Sequence, residues 1–195
     1  TAFPVTASGT GNIAGNATKN VSATTPAVYD VAQGTYSVSE QVPAGWQQTG
    51  NTCANIAITA NNLSTSCTIT NTKLGSLTIV KDALPNDAQD FKFGVTGLSG
   101  GDFYLDDDSN ATLSNQKTFS GLLPGQYSVT EQSTPGWKLT SLVCGNSTVQ
   151  GAAANVTLTA GQNVTCTFTN TKLASLAGIK YTANANSSLG PVLSG

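Results

Sequence analysis

Asn71 to Lys81 reads NTKLGSLTIVK, and Asn170 to Lys180 reads NTKLASLAGIK. In each, an alternating run ends on Asn-Thr and a second alternating run, apolar at every other residue, opens a few positions later. Alternation sustained over about four to eight residues marks a strand with one buried face. Each stretch is therefore a junction from the closing strand of one module to the opening strand of another. The text ahead of the first junction recurs ahead of the second. GTYSVSEQVPAGW at 34–46, Cys53 and CTITN at 67–71 are matched by GQYSVTEQSTPGW at 125–137, Cys144 and CTFTN at 166–170. Such a period means two copies of one unit, since a repeated supersecondary pattern repeats its fold.

Working outward, TYSVSE, NIAITA, SLTIV, QYSVTE, NVTLTA and TCTFTN all have period two and are separated by Gly, Pro and Asn turns. No window has helical periodicity. The fold class is all-β, with two tandem Ig-like antiparallel β-sandwich modules. The first is expected over residues 1–72 and the second over 73–172, with 173–195 supplying the opening strand and linker of a following module.

The two copies differ at their fronts. The second begins with a strand, Ser76 to Lys81, and then connects to Phe91 and Phe93; the first opens at the equivalent of Phe93, so it lacks its opening strand. That strand stands at the far end of the chain, where Ser175 to Lys180 matches Ser76 to Lys81. With Gly195 placed before Thr1, the text reads as a complete module opening. Completion is thus expected head to tail, between separate subunits or between repeats of one longer polypeptide, and either arrangement builds a linear fibre from copies of this chain. With no Met and no signal peptide, the N-terminus is expected to be a processed end or the start of an excerpt.

Composition narrows the function. Among 195 residues the net charge is −2, charged residues are 9%, and there is no His. No basic footprint for nucleic acid or acidic lipid exists, and no apolar run approaches the roughly 18 residues of a membrane span. Without His, a Ser-His-Asp triad is impossible, and a two-carboxylate hydrolase needs paired acids, whereas Glu40 and Glu131 fall in separate modules. The chain reads as no enzyme, with no cofactor and no metal. Cys53 with Cys67 and Cys144 with Cys166 form one pair per module. Zinc wants CxxC spacing or His, so disulfides in an oxidising, extracellular setting are expected; buried free thiols are the alternative.

Parity supplies the chemistry. Leu77, Ile79 and Lys81 share one face, as do Tyr127, Val129 and Glu131, and Cys166, Phe168 and Asn170. Lys81, Glu131 and Asn170 therefore point to the core. The same parity sets Glu40 behind Tyr36 and Val38, and Asn71 behind Cys67 and Ile69. A lone buried charge costs several kcal/mol. Burial favours a neutral amine beside a protonated acid. Such an amine attacks the Asn carboxamide while the acid relays protons and ammonia leaves, giving a Lys–Asn isopeptide bond that removes the buried charge. The alternative is a Lys that reaches the sheet edge and pairs with Glu.

These residues carry a family resemblance. GSLTIVK, YSVTEQ with its following PGW, and the closing CTFTNT resemble SpaA or CnaB-type prealbumin-like domains of bacterial surface proteins and pili; LGPVLSG followed by TAF is similar to the family's G-x-P-L-x-G-A-x-F segment. The resemblance implies a self-formed isopeptide between Lys81 and Asn170 with Glu131 as catalyst, and between Lys180 and Asn71 with Glu40 as catalyst. The cysteine pairs are not general in the family, and Gly178 stands where Ile79 stands in the second module.

Weaker signals are read as structural. Asp106, Asp107 and Asp108 are read as a solvated turn before a Ca²⁺ site, and Trp46 and Trp137 as packing residues before ligand platforms. N-x-S/T triplets at Asn16, Asn20, Asn62, Asn110, Asn146, Asn155, Asn163 and Asn186 mark surface that tolerates glycan. The function expected is a repeat of an extracellular, cell-surface fibre, pilus or adhesin stalk, chained by strand complementation and locked by isopeptide bonds and disulfides. An adhesive module recognising glycan or a host protein is the alternative.

Overall fold

A computed structural model describes residues 1–108, 110 and 112–178. Among them are fifteen strands and no helix. In the first half these are β1 (Phe3–Gly9), β2 (Thr18–Val21), β3 (Gly34–Glu40), β4 (Trp46–Asn51), β5 (Ile56–Ile58) and β6 (Ile69–Lys73). The second half holds β7 (Gly75–Leu84), β8 (Asp87–Thr96), β9 (Phe103–Asp107), β10 (Gln116–Leu122), β11 (Gly125–Glu131), β12 (Trp137–Cys144), β13 (Ser147–Thr148), β14 (Ala153–Leu158) and β15 (Asn163–Lys172). Of the expected completing strand, Ser175 to Gly178 are exposed and carry no regular structure in this chain, while Ile179, Lys180 and the rest of the tail lie outside the described residues.

β7 shows why the second half folds as it does. Leu77, Ile79, Lys81 and Ala83 are fully buried while Ser76, Thr78, Val80 and Asp82 are only partly covered, the period of a strand with one face in a core. β7 sits inside a five-stranded sheet of order β10-β7-β15-β12-β13, parallel to β15 and antiparallel to β10. The opposing sheet has the order β14-β11-β8-β9. Between them Leu77, Ile79, Phe91, Phe93, Val129, Leu142, Leu158 and Phe168 make the core. Phe93 stacks on Phe103 at 5.2 Å and meets Phe168 edge-on at 5.2 Å, arrangements that add to the area they bury. The junction needs Gly75, because a Cβ there would lie 2.2 Å from the Gln162 carbonyl oxygen.

The first half repeats part of this plan. Its four-stranded sheet, β2-β1-β3-β5, corresponds to β9-β8-β11-β14, and the pair β4-β6 corresponds to β12-β15. Tyr36 Oη donates to the Ala32 carbonyl at 2.8 Å as Tyr127 Oη donates to Leu123 at 2.7 Å. One sequence alignment needs correction. Phe3 packs edge-on against Trp46 at 5.2 Å, as Phe91 does against Trp137 at 5.3 Å. Val5 lies opposite Glu40, as Phe93 lies opposite Glu131. Phe3 therefore takes the place of Phe91, and Val5 that of Phe93. Matching letters in FPVT and FGVT suggested a register two residues away. Because a two-residue shift preserves facing, parity gave no warning.

Two other regions differ from the second half. Counting back from the shared Gly34 and Gly125, residues 25–31 stand where β10 stands, yet they make only the isolated bridges Ser22–Thr25 and Ile13–Val31. β6 has 5 residues where β15 has 10. Between residues 25–31 and β6 lies an open cleft of about 1220 Å³, lined by Phe3, Val28, Glu40, Trp46, Leu63 and Asn71 among others. Among the described residues no strand occupies it.

Candidate functional site

β7, β11 and β15 each deliver one polar side chain to the middle of the second core: Lys81, Glu131 and Asn170, at 0%, 5% and 3% exposure. The Lys81 ammonium nitrogen donates to the carbonyls of Asp82 at 2.7 Å and Phe168 at 3.2 Å. It lies 3.9 Å from Glu131 Oε1 and 4.0 Å from the centroid of the Phe91 ring. Glu131 Oε1 and Asn170 Oδ1 are buried without a hydrogen-bond partner. At 3.9 Å the Lys–Glu pair falls short of a charge-assisted hydrogen bond.

Both ionisable groups are pushed toward neutrality. Burial lowers Lys81 to about 8, against the opposing pull of Glu131, Asp82 and Asp107. Burial raises the Glu131 carboxyl above its ordinary range, with the Lys81 charge and a hydrogen bond with Asn170 pulling the other way. An amine, an acid and a carboxamide with an unengaged carbonyl oxygen are thus buried together in one core. These are the parts of an amide exchange: a nucleophile, a proton relay and an electrophile.

The first half holds a related pair, Glu40 and Asn71, with no amine placed beside them among the described residues. Asn71 Nδ2 donates to Glu40 Oε1 at 2.7 Å, and Glu40 Oε2 and Asn71 Oδ1 are buried atoms lacking partners. Both side chains line the cleft beside Phe3 and Trp46. Lys19 is engaged elsewhere, on the Val28 carbonyl and the Tyr29 ring. Lys180, the amine expected from sequence, lies outside the described residues.

The remaining candidates have simpler roles. Cys53 is bonded to Cys67 and Cys144 to Cys166, the latter pair directly opposite each other on β12 and β15. Asp106 is buried, and burial together with the neighbouring carboxylates raises its carboxyl. Asp107 caps the Ala83 N–H at 2.9 Å, and Asp108 accepts from the Asn110 N–H at 2.8 Å. Among the described residues no group of three or more His, Cys, Asp or Glu side chains is placed to hold a metal. Trp137 is buried against Phe91, and Trp46 is half-buried against Phe3. Phe91, the aromatic wall of the Lys81 pocket, was missed in the sequence. Its alternation with Phe93 in FKFGV places both inward, a signal that marks Phe91 as core without saying that an amine lies over it.

Family comparison matches residues 77–172 and residues 1–79 to two SpaA-type families, each described as a prealbumin-like fold domain. The chain belongs to this prealbumin-like family, with two domains in tandem. A search of curated protein sequences returns no match. Among solved structures, a major pilin from Streptococcus pyogenes is similar at 15% identity and a TM-score of 0.38, over 88% of this chain and 90% of that one. The minor pilin of Streptococcus agalactiae is similar at 16% identity and a TM-score of 0.34, over 84% and 67%. A pilus-presented adhesin matches at 23% identity and a TM-score of 0.33, over 50% of this chain and 26% of its own, so this chain spans about a quarter of that protein's length. No helix among the described residues is long and apolar enough to cross a membrane.

Proposed function

We propose that this chain is a structural unit of an extracellular, cell-surface fibre such as a pilus or adhesin stalk, in which the second domain is locked by a self-formed Lys81–Asn170 isopeptide bond. The observation that carries the reading is the Lys81 amine, fully buried beside Glu131 and Asn170, with unpartnered acceptor atoms on both. The neutral amine nitrogen attacks the Asn170 side-chain carbonyl carbon. Glu131, protonated, gives its proton to the amide side and takes one from the attacking nitrogen. The bond from Nζ to Cγ forms, the bond from Cγ to Nδ2 breaks, and one ammonia leaves. Glu131 ends as it began, and the buried charge is gone.

The bond would tie the strand that opens the domain to the strand that closes it. Tension applied at the two ends would then bypass the β-ladders between them, which suits a role in carrying load. Chaining is the second part of the reading. The strand Ser175–Lys180 of one copy completes the first domain of the next, and Lys180 is linked to Asn71 with Glu40 in the role of Glu131. The repeated junction, the open cleft and the unpartnered Glu40 and Asn71 atoms support it. Domains 1–72 and 73–172 would then alternate along the fibre, each cross-braced by a disulfide.

Tandem mass spectrometry of a protease digest of assembled material tests both parts. Branched peptides joining Lys81 to Asn170 and Lys180 to Asn71, each lighter by one ammonia, are expected. Recovery of both lysines as free amines in well-covered peptides overturns the isopeptide reading.

A further inference from the structure

The most exposed large apolar side chains among the described residues are Leu176 at 98%, Leu63 at 72% and Val28 at 70%. Each exposes enough hydrocarbon to be unfavourable in water. Two of them line the first-domain cleft and the third stands on the segment that leads out of the second domain. The second domain supplies a template for how they relate. There β10 lies antiparallel to β7, with Phe119 opposite Leu77, Lys117 opposite Ile79 and Gln116 opposite Val80. β15 lies parallel on the other side, with Val164 opposite Leu77 and Cys166 opposite Ile79.

Val28 precedes Gly34 by as many residues as Phe119 precedes Gly125, and Leu176 follows Asn170 as Leu77 follows Asn71. On the other side, Cys67 takes the place of Cys166 and Thr65 that of Val164. One register then places Leu176 opposite Val28 and beside Thr65, with Leu63 two residues further along the same edge. It also sets Lys180 opposite Ile69, as Lys81 lies opposite Phe168. That is the position from which an amine meets Glu40, Asn71 and the Phe3 ring.

We infer that the first-domain cleft is a two-sided docking site for residues 175–180 of a second copy, in a register fixed by Leu176 seating against Val28 and Leu63, with residues 25–31 pairing as a strand on the incoming segment. The inference rests on the head-to-tail reading and adds the contact that sets its register. Residues 25–31 carry the sequence of a β10 equivalent without its ladder because the partner strand is not in the cleft. The backbone bonds of residues 25–31 run to Ser22 and Ala14, and the Val28 carbonyl accepts from Lys19; among the described residues none of these bonds, and none made by β6, crosses the gap between the two segments. A single inserted strand satisfies both, as β7 does in the second domain.

The test uses the full chain and two variants, Val28→Asp and Leu176→Asp, with oligomeric state read by light scattering after size exclusion. Both side chains are solvent-exposed in the free chain, so each variant is expected to keep the β-sheet circular dichroism of the parent. A buried carboxylate in place of Val28 or Leu176 weakens docking on the order of a hundredfold. Wild type is expected to chain and each variant alone to stay monomeric. An equal mixture is expected to give two-copy species and nothing longer, because the intact Leu176 of one variant enters the intact cleft of the other. That mixture also shows that both variants are folded. If wild type chains and the variants chain equally well, this register is wrong while head-to-tail completion stands. Wild type that stays monomeric overturns the head-to-tail reading itself.

Discussion

Two substitutions separate the contribution of the covalent bond from that of the buried amine. Lys81→Met removes the nucleophile and leaves an apolar chain of similar length beside Phe91; Glu131→Gln removes the proton relay and leaves the amine in place. Neither forms the bond. In the wild type the proposed bond would close a loop of about 90 residues between Lys81 and Asn170, and loop-closure entropy assigns that about 4.6 kcal/mol at 25 °C. Lys81→Met is expected to lose this amount. Glu131→Gln is expected to lose it and also to carry an amine whose burial lowers it from 10.5 to about 8. That drop corresponds to about 3 kcal/mol. It is a lower bound, because the carboxylate that supports the ammonium has gone. At pH 7 the order is therefore wild type, then Lys81→Met, then Glu131→Gln about 3 kcal/mol lower again, a large share of a domain stability of about 5–15 kcal/mol. Urea unfolding followed by tryptophan fluorescence measures it. The sign with pH follows from proton counts. Between about 8 and 10.5 the unfolded chain holds the Lys81 proton and the folded chain does not. Stability of Glu131→Gln therefore rises with pH across that window, while Lys81→Met has no such gain. Equal stability of wild type and Lys81→Met, with wild-type peptides of unreduced mass, refutes the bond. Equal stability of the two variants at pH 7 refutes the cost assigned to the amine.

Formation of the proposed bond would have its own pH dependence. The reactive pair, neutral amine and protonated acid, holds one proton between two groups. The rate in freshly refolded chain is therefore expected to fall about tenfold per pH unit above about 8, where that proton is lost, and to fall again in acid once the pair holds two. Quenched-flow mass spectrometry reads both limbs, and a rate that climbs steadily past pH 9 contradicts Glu131 as the acid. The disulfides are expected to contribute about 3 kcal/mol each, from sequence separations of 14 and 22. Cys67→Ser is expected to loosen the residues ahead of β6, which have no ladder to hold them, and faster amide exchange at Thr65 to Thr68 measures this. Cys166→Ser is expected to leave its strand protected, because β7 and β12 flank it on both sides.

Much of this was legible because the strands alternate without interruption. LTIVK, YSVTE and TFTN each carry one polar residue at the inward parity, so three inward polar groups followed from period two alone. What stayed hidden depended on register between strands. The equivalence of Phe3 with Phe91 is set by pairing with the YSVSE strand, and the letters FPVT point to a different match. Phe91 in the Lys81 pocket was hidden for a related reason: an inward aromatic reads as core until the neighbour above it is known to be an amine. The equivalence of residues 25–31 with β10 was also invisible: no alternating run marks TPAVYDV, and the match emerges only by counting back from Gly34 and Gly125 once the β10 ladder is known.

The two domains differ in core volume, and the difference bears on how a chained joint would hold. Where the second domain has Phe93, Val95, Phe119 and Phe168, the first has Val5, Ala7, Val28 and Ile69. The strand assigned to the first-domain cleft carries Gly178 where Ile79 is fully buried. Removing an Ile side chain from a strand that docks into a core forgoes about 3 kcal/mol of apolar burial. Docking into the first domain would therefore be weaker than the packing of β7 in the second, and reversible until the Lys180–Asn71 bond forms. Reversible seating followed by covalent capture would let a fibre growing in the proposed way reject a misaligned strand before committing to it. Gly178→Ile shifts this balance. With the new side chain accommodated, non-covalent association is expected to tighten by on the order of a hundredfold, and chaining should survive in Lys180→Met, which cannot form the bond. If Gly178→Ile instead weakens chaining of both the wild-type and the Lys180→Met chain, the cleft has no room opposite Cys67, and the argument from missing core volume fails.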